Sequence, residues 1–503
     1  MESLHGYKAG KTSPNRSIIS TLVLSGLTVL GVLISGCVPE SGEETGDSSS
    51  TASTSSGSYA GEETSTTGTT SSSEDYSSVD GSVATDSGDS VATGTDSAVS
   101  VLDSDDTFFD EETEAVITSD DSEVTDVVED GYQTGSLTAG DIDDNLNYRQ
   151  FLDYYSGLLQ EDSSGVFPAP NLGTRISVRV VNAENMAISN APLQITTTSG
   201  DLLYESQTDA LGRFYFFPWL DLTSEQRDGL TDIIVTATDP QDVSQTVSST
   251  EALDESSVDL RLLDSDSNLV DALEWVLVID ATGSMSDELD YLTAEFQAII
   301  TDLRLLHSSI PMKFGLVMYR DSGDSFVVRT HAFTDSVDTM TSQLQLYSAS
   351  GGGDYPEAMD QALDAALGFQ WSDGNQARVI MLAADAPPHD VALERTFNLA
   401  LEARQRGINI FPLAASGVGD LAENLMRLMA LITNGSYMFL TDDSGYGNSH
   451  SEPTVPCYIV TRLDQLITRR IDSLLSGQRV EPSEGNILRT SGSYEAGVCG
   501  EQE

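Results

Sequence analysis

The sequence predicts an α/β protein: a doubly wound, mostly parallel sheet, preceded by an all-β sandwich and a disordered amino-terminal stalk. Three observations carry this. Continuous apolar runs at 275–279 and 379–383 read as strands buried on both faces, and they alternate with segments whose apolar residues recur at three and four. Upstream, between about 175 and 263, short runs alternate at period two between glycine and proline turns. Further upstream, residues 38–148 contain no Lys, Arg or His, and residues 40–144 carry 28 acids among Ser, Thr and Gly. The whole chain has 503 residues, with 23 Lys+Arg against 81 Asp+Glu and a formal charge of −58. That charge excludes nucleic acid and a bare anionic membrane surface as partners, since both would be repelled. Lys8, Lys11 and Lys313 are the only lysines, so the other basic residues are arginine.

The amino end comes first. Lys8, Lys11 and Arg16 precede a charge-free stretch, residues 18–34, that is long enough for an export signal and marginal for a spanning helix. It runs into Ser35-Gly36-Cys37. Small residues just before a cysteine resemble the bacterial lipobox. The resemblance implies a signal peptide over 1–36, fatty acylation of Cys37 and a lipid anchor in the cell envelope. Val38 in place of Asp implies the outer rather than the inner membrane, with the chain exposed to the periplasm or cell surface. An uncleaved anchor is the alternative. Residues 37–146 are then a stalk, too poor in apolar surface to offset the entropy of ordering and extended by self-repulsion.

Residues 147–265 form the expected sandwich. An amphipathic helix at 148–160 leads into strands at 175–181, 192–198, 202–206, 213–217, 232–238 and 258–263. The stretch Thr208-Asp209-Ala210-Leu211-Gly212-Arg213-Phe214 resembles the turn signature of carboxypeptidase regulatory-like and collagen-binding B-type repeats. That implies a spacer more than a ligand site, with Phe217 and Trp219 in the core.

Residues 266–478 carry the third region. After the strand at 275–279, Leu289, Leu292, Phe296, Ile299, Ile300, Leu303 and Leu306 mark a helix. Strands follow at 313–319 and 326–333, a helix at 358–367, and strands at 379–383, 409–415 and 436–440, the last two separated by a helix around 421–432. Ile459, Leu463, Leu466, Ile467, Ile471 and Leu474 mark a closing helix capped by Gly477. Residues 479–503 are a polar tail. In such a sheet, sites form at the carboxyl ends of strands.

The loops at those ends read Asp280-x-Thr282-x-Ser284, then Gly351-Gly352-Gly353-Asp354-Tyr355-Pro356-Glu357, then Asp385-Ala386-Pro387-Pro388-His389. Carboxylates and hydroxyls are hard oxygen donors, suited to Mg²⁺, Ca²⁺ or Mn²⁺ rather than Zn²⁺. The three ordered motifs resemble the von Willebrand factor type A domain and its metal-ion-dependent adhesion site. The resemblance implies a divalent cation held by Asp280, Thr282, Ser284, Glu357 and Asp385, with one position open to an acidic side chain of a protein partner. The middle loop departs from the commoner threonine and resembles the integrin β-subunit version, with Glu357 in the ligand position. Asp354 and Asp321 fall on the rim, and His389 reads as a packed neighbour. The expected function is that of an envelope-anchored binding lipoprotein, not an enzyme. The alternatives are a structural spacer whose metal only stabilises the fold, and a hydrolase. Against the latter, Thr282 breaks the Asp-x-Asp of haloacid-dehalogenase phosphatases, and no serine nucleophile elbow or HExxH motif is present.

Setting Cys37 aside leaves Cys457 and Cys499, an even pair in an oxidising compartment. They are expected to bridge and to pin the polar tail; two free thiols are the alternative.

Overall fold

A computed structural model describes residues 137–266, 269–445, 450 and 453–500. The signal segment, Cys37 and nearly all of the stalk lie outside the described residues. None of the described helices is long and apolar enough to cross a membrane.

The first described element corrects the domain boundaries. Strand β1 (Thr138–Ile142) and helix α1 (Tyr148–Glu161) come before the strand-rich region, yet both belong to the core of the large sheet. Strands β2 (Ile176–Val181), β3 (Pro192–Thr197), β4 (Leu202–Gln207) and β5 (Arg213–Phe216), the short helices α2 (Pro218–Asp221) and α3 (Ser224–Arg227), and strands β6 (Asp232–Thr238), β7 (Thr246–Ala252) and β8 (Ser256–Arg261) follow. They form a three-stranded sheet, β5-β2-β8, and a four-stranded sheet, β4-β3-β6-β7. Both contribute to one apolar cluster, with Ile176, Val178 and Phe216 from the first and Leu193, Ile195 and Val235 from the second. At the β4–β5 turn, Gly212 has φ 70°, and a Cβ there would stand 2.5 Å from the Val180 carbonyl oxygen. Only glycine fits that approach. Phe214 then enters the core, while Trp219 stays 47% exposed under the Arg227 guanidinium, against the expectation that it is buried.

The large sheet resumes with β9 (Ala272–Asp280), α4 (Ser286–Leu306), β10 (Met312–Tyr319), β11 (Val328–Thr334), α5 (Val337–Leu344), α6 (Met359–Leu367), β12 (Gln376–Ala384), α7 (Leu393–Gln405), β13 (Ile408–Ala414), α8 (Asp420–Ile432), β14 (Tyr437–Thr441), β15 (Tyr458–Arg462) and α9 (Leu463–Ser476). Strand β16 (Arg489–Ser491) and the small pair β17 (Tyr494–Glu495) and β18 (Val498–Cys499) are the last described elements. The strand order is β11-β10-β9-β12-β13-β14-β1-β15-β16. The β10-β9-β12-β13-β14 block is parallel. Helices cover both faces, giving two apolar clusters, one on each side of β9.

β1 runs antiparallel to both of its neighbours, pairing Thr138 with Thr441 and Arg462. The strand-rich region is therefore an insertion between two parts of the large sheet. Residues 137–145, assigned from sequence to the stalk, are buried, with 138–142 paired in that sheet. Helix α1, assigned to the sandwich, packs Tyr148, Phe151 and Tyr155 with Tyr437, Phe439 and Tyr458. The tail is also built in. β16 extends the sheet beside β15, and Cys457 and Cys499 form a disulfide with a Cα separation of 5.4 Å. Buried Asn147 ties tail to entry: its Oδ1 accepts from the Cys499 N–H at 2.7 Å and its Nδ2 donates to the Gly497 carbonyl at 2.8 Å.

β1 and the turn after it carry acids into the interior, and each finds arginine. Asp144 accepts from Arg427 Nη2 and Nε at 2.8 and 3.0 Å. Asp143 lies 3.5 Å from Arg213 and 3.4 Å from Arg479. Asp141 lies 2.6 Å from Arg470 and 3.5 Å from Arg469. Burial alone would raise the Asp141 pKa, but the two guanidinium charges outweigh it and hold the carboxyl at about 2. Burial pushes Asp144 up even against the pull of Arg427.

Candidate metal-binding rim

Asp280 is the last residue of β9 and is fully buried. Its carboxylate folds the following loop: Oδ1 accepts from the Thr282 N–H at 2.9 Å and from the Thr282 hydroxyl at 2.8 Å. The Thr282 and Ser284 hydroxyls lie 3.2 Å apart. Thr282 thus points its proton at Asp280 and keeps oxygen lone pairs outward, while Ser284 is exposed at the mouth.

The middle loop is held against the first by backbone. Gly283 N–H donates to the Gly351 carbonyl at 3.1 Å, and Ser350 N–H to the Ala281 carbonyl at 3.0 Å. Gly352 has φ 65°, and a Cβ on it would come within 2.9 Å of Glu357 Oε1 and 3.2 Å of Thr282 Cβ. The glycine run lets backbone press over these two side chains. Glu357 is buried, and its N–H donates to the Pro387 carbonyl at 3.0 Å, which joins the middle and third loops. Asp385 follows β12 and is buried.

The electrostatics of the rim are those of crowded acids. Burial first, then the Asp385 charge, pushes the Asp280 pKa up to about 7. Burial, then Asp280, Asp321, Asp385 and Asp324, pushes Glu357 up to about 9. Glu357 Oε2 is buried with no hydrogen-bond partner, and Asp280 Oδ2 makes no hydrogen bond of good geometry, although the Tyr319 hydroxyl lies close enough to lower the Asp280 pKa against the larger effect of burial. Among the described residues, no group of three or more His, Cys, Asp or Glu side chains is placed to hold a metal ion on its own; the carboxylates here are supplemented by the Thr282 and Ser284 hydroxyls. Crowded carboxylate oxygens beside outward hydroxyl lone pairs are a donor set that fits a hard divalent cation.

The outer residues divide. Asp321 is buried and accepts from His389 Nε2 at 2.8 Å, which raises the His389 pKa chiefly through that bond. Asp354 is exposed on the outside of the loop. Three residues that sequence reasoning passed over organise the site. Tyr319 is fully buried beside Asp280, Asp385 and Glu357, and burial then their charges hold its hydroxyl protonated, well above the ordinary tyrosine range. Arg320 braces the first loop through the Ala281 carbonyl (2.9 Å) and the Ser348 carbonyl (2.8 Å). Asp324 accepts from the Gly352 N–H at 2.9 Å. The only sequence signal was position: all three lie at or just after the end of β10. Tyr355 adds a brace, accepting from the Gly419 N–H at 2.8 Å.

Residues 274–435 match the family model of the von Willebrand factor A domain. The chain therefore carries such a domain, and its matched part contains all three rim loops. Among curated proteins, the chain is 30% identical over 117 residues to an ariadne-like RING finger protein of Acanthamoeba polyphaga mimivirus. It is 28% identical over 120 residues to the alpha-protein kinase vwkA of Dictyostelium discoideum. These matches span 23% and 24% of this chain and only 11% and 19% of those proteins. Among solved structures, BatB from Bacteroides thetaiotaomicron is similar at 16% identity and a TM-score of 0.30, over 40% of this chain and 98% of that one. The von Willebrand domain of the type V pili tip protein Mfa5 from Porphyromonas gingivalis is similar at 13% identity and a TM-score of 0.28, over 43% and 99%.

Proposed function

We propose that this chain is an envelope-anchored lipoprotein that binds a protein partner through a divalent-cation rim on its von Willebrand A domain. The observation that carries the reading is the crowding of the buried Asp280 and Glu357 carboxylates, with Glu357 Oε2 unpartnered, beside the Thr282 and Ser284 hydroxyls. Buried like charges without a cationic side chain are either protonated or matched by an ion. Asp280, Thr282, Ser284, Glu357 and Asp385 would hold Mg²⁺, Ca²⁺ or Mn²⁺. A bound ion supplies a Lewis-acid seat for a carboxylate oxygen of the partner. The chain's own residues prepare that seat: Asp280 orients the Thr282 hydroxyl, Glu357 ties the middle loop to the third, and Ser284 stays open to solvent. The anchor would be acylated Cys37, with the stalk as tether. The strand-rich insertion is read as a carboxypeptidase regulatory-like spacer.

Calorimetry of the full chain with Mg²⁺, Mn²⁺ and Ca²⁺ tests the rim. One of them should bind at one site, and Asp280→Ala should abolish binding. Capture of a partner from the same envelope should fail in chelator. Ion binding with chelator-indifferent capture would leave the metal a structural role only. No ion binding would remove the rim mechanism.

A further inference from the structure

A half-open cleft of about 550 Å³ lies where the strand-rich insertion meets the large sheet. On the sheet side it is built by residues that precede strands: Asp271 before β9, Asn375 before β12, and Gln405 with Arg406 before β13. These are amino ends, whereas the rim sits at carboxyl ends. The cleft and the rim are therefore at opposite ends of the central strands, separated by about 30 Å along nine-residue β9 at ~3.3 Å per residue.

The cleft is walled by residues fixed from both sides. Asn190 of the insertion donates to Asn375 Oδ1 at 2.7 Å, and Gln207 donates to Asn190 Oδ1 at 3.3 Å. Arg378 is held by the Ser372 and Gly374 carbonyls at 2.8 and 2.9 Å. Trp371 is the aromatic residue of the lining. Its Nε1 already donates to the Ala366 carbonyl at 3.0 Å, and its ring stands edge-on to Phe333 at 5.2 Å. What it can offer a ligand is ring carbon. Gln241 from the insertion and Gln405 from the end of α7 are exposed on the walls.

Size and chemistry narrow the ligand. The volume falls in the range of roughly 300–1,000 Å³ found for small-molecule sites, and such sites favour domain interfaces. A lining of amides, carboxylates and guanidinium groups disfavours an apolar ligand, whose burial would strip water from those groups. Arg378 and Arg406 are balanced by Asp271 and Asp373, so the cleft has no net attraction for a phosphate or polyanion, in a chain whose charge is −58. Planar side chains with donors and acceptors at fixed positions match hydroxyl groups, which are both at once. A ring of aromatic carbon matches the C–H face of a pyranose. We propose that this cleft binds a neutral saccharide of about disaccharide length, a second binding function separate from the rim.

The test is calorimetry of the full chain in EDTA with cellobiose, maltose, lactose and N,N′-diacetylchitobiose. Chelator keeps the result independent of the metal reading. At least one sugar should bind at one site with a Kd of about 1 mM or tighter. Gln405→Ala and Gln241→Ala, both at exposed side chains, should each weaken binding about tenfold, one hydrogen bond's worth, with an unchanged circular-dichroism spectrum. Trp371→Ala should abolish it; because Trp371 packs on Phe333, the two glutamine variants carry the decision if that protein unfolds. The proposal is overturned if none of the four sugars binds, if both glutamine variants bind as the parent does, or if inorganic phosphate or an acidic disaccharide binds more tightly than every neutral one.

Discussion

Two groups of buried acids in this molecule have the same chemistry and opposite surroundings. On β1 and the turn that follows it, Asp141, Asp143 and Asp144 enter the interior with arginine beside each of them. On the rim, Asp280, Glu357 and Asp385 gather with hydroxyls and with one another. The result is read in the titration of two fully buried aspartates: Asp141 is held at about 2, while Asp280 is pushed up to about 7. Burial acts alike on both, so the difference is the countercharge. An acid buried with its guanidinium is part of the framework. Asp280 and Glu357 are buried without one, and their pKa values rise.

The sharpest way to break this contrast is to remove a guanidinium. Arg427 is fully buried between Asp144 and Glu423. Arg427→Met should destabilise the fold by about 3–5 kcal/mol, the loss expected when one partner of a buried pair is removed, read as a lower urea midpoint at unchanged m. Reducing Cys457–Cys499, or Cys499→Ser, should cost roughly 3–4 kcal/mol in the chain-entropy model, because it frees a loop of separation 42. It should also expose the Asn147 contacts to faster amide exchange. The rim should behave with the opposite sign. Because the folded pKa of Asp280 is raised, the folded chain binds more protons than the unfolded one between the two values. In chelator its contribution is therefore fully present below about pH 4 and is lost as pH rises through about 7, on the order of 4 kcal/mol. Glu357 extends the decline toward pH 9. Melting curves from pH 4 to 9 should show that decline in EDTA, a flatter profile with saturating Mg²⁺, and a shallower decline in Asp280→Asn. Asp141 gives the smallest effect and the reverse slope. Its stabilisation is present above about pH 4 and lost as pH falls through about 2, about 2 kcal/mol in all, and Asp141→Asn should remove that acid limb.

The sequence made the rim legible as a motif because its first and third loops each follow a run of apolar residues that only a doubly buried strand needs. β1 was not legible. Its residues, Thr-Ala-Gly-Asp-Ile, have no hydrophobic signature, and they stand at the end of a long acidic tract. Their arginine partners lie far along the chain; Arg427 is 283 residues from Asp144. No local pattern reports such pairing. The scarcity of lysine was a hint of another kind. Arg404, Arg427, Arg469 and Arg470 are buried in contact with carboxylates, where a planar fork serves better than a point charge. Ile459 fits the three-and-four spacing of the closing helix. It lies on β15, and α9 begins at Leu463 after Arg462, an N-cap position with no side-chain hydrogen bond and so no start signal. Helix α7 is faint in the sequence although Leu393, Phe397, Ala400 and Ala403 line one face, since Glu394, Arg395, Glu402 and Arg404 dilute the pattern. Tyr319 read as an ordinary end to a buried strand, and nothing in sequence tells a core tyrosine from one lying against three carboxylates.

The pairing of β1 has a mechanical consequence. Thr138 faces Thr441 and Arg462, the last residues of β14 and β15. The chain therefore enters the large sheet at the end that carries the rim, with the interdomain cleft at the far end. Tension between that entry and a load held at the cleft would run along the strand. It would shear β1 against two neighbours at once, so that their hydrogen bonds resist together. Tension between the entry and a load on the rim would act across the strands instead, from β1 over β14, β13 and β12 toward β9, and would open pairings one at a time. The same molecule would thus yield at different forces depending on which end is gripped. That asymmetry follows from β1 running opposite to the strands around it.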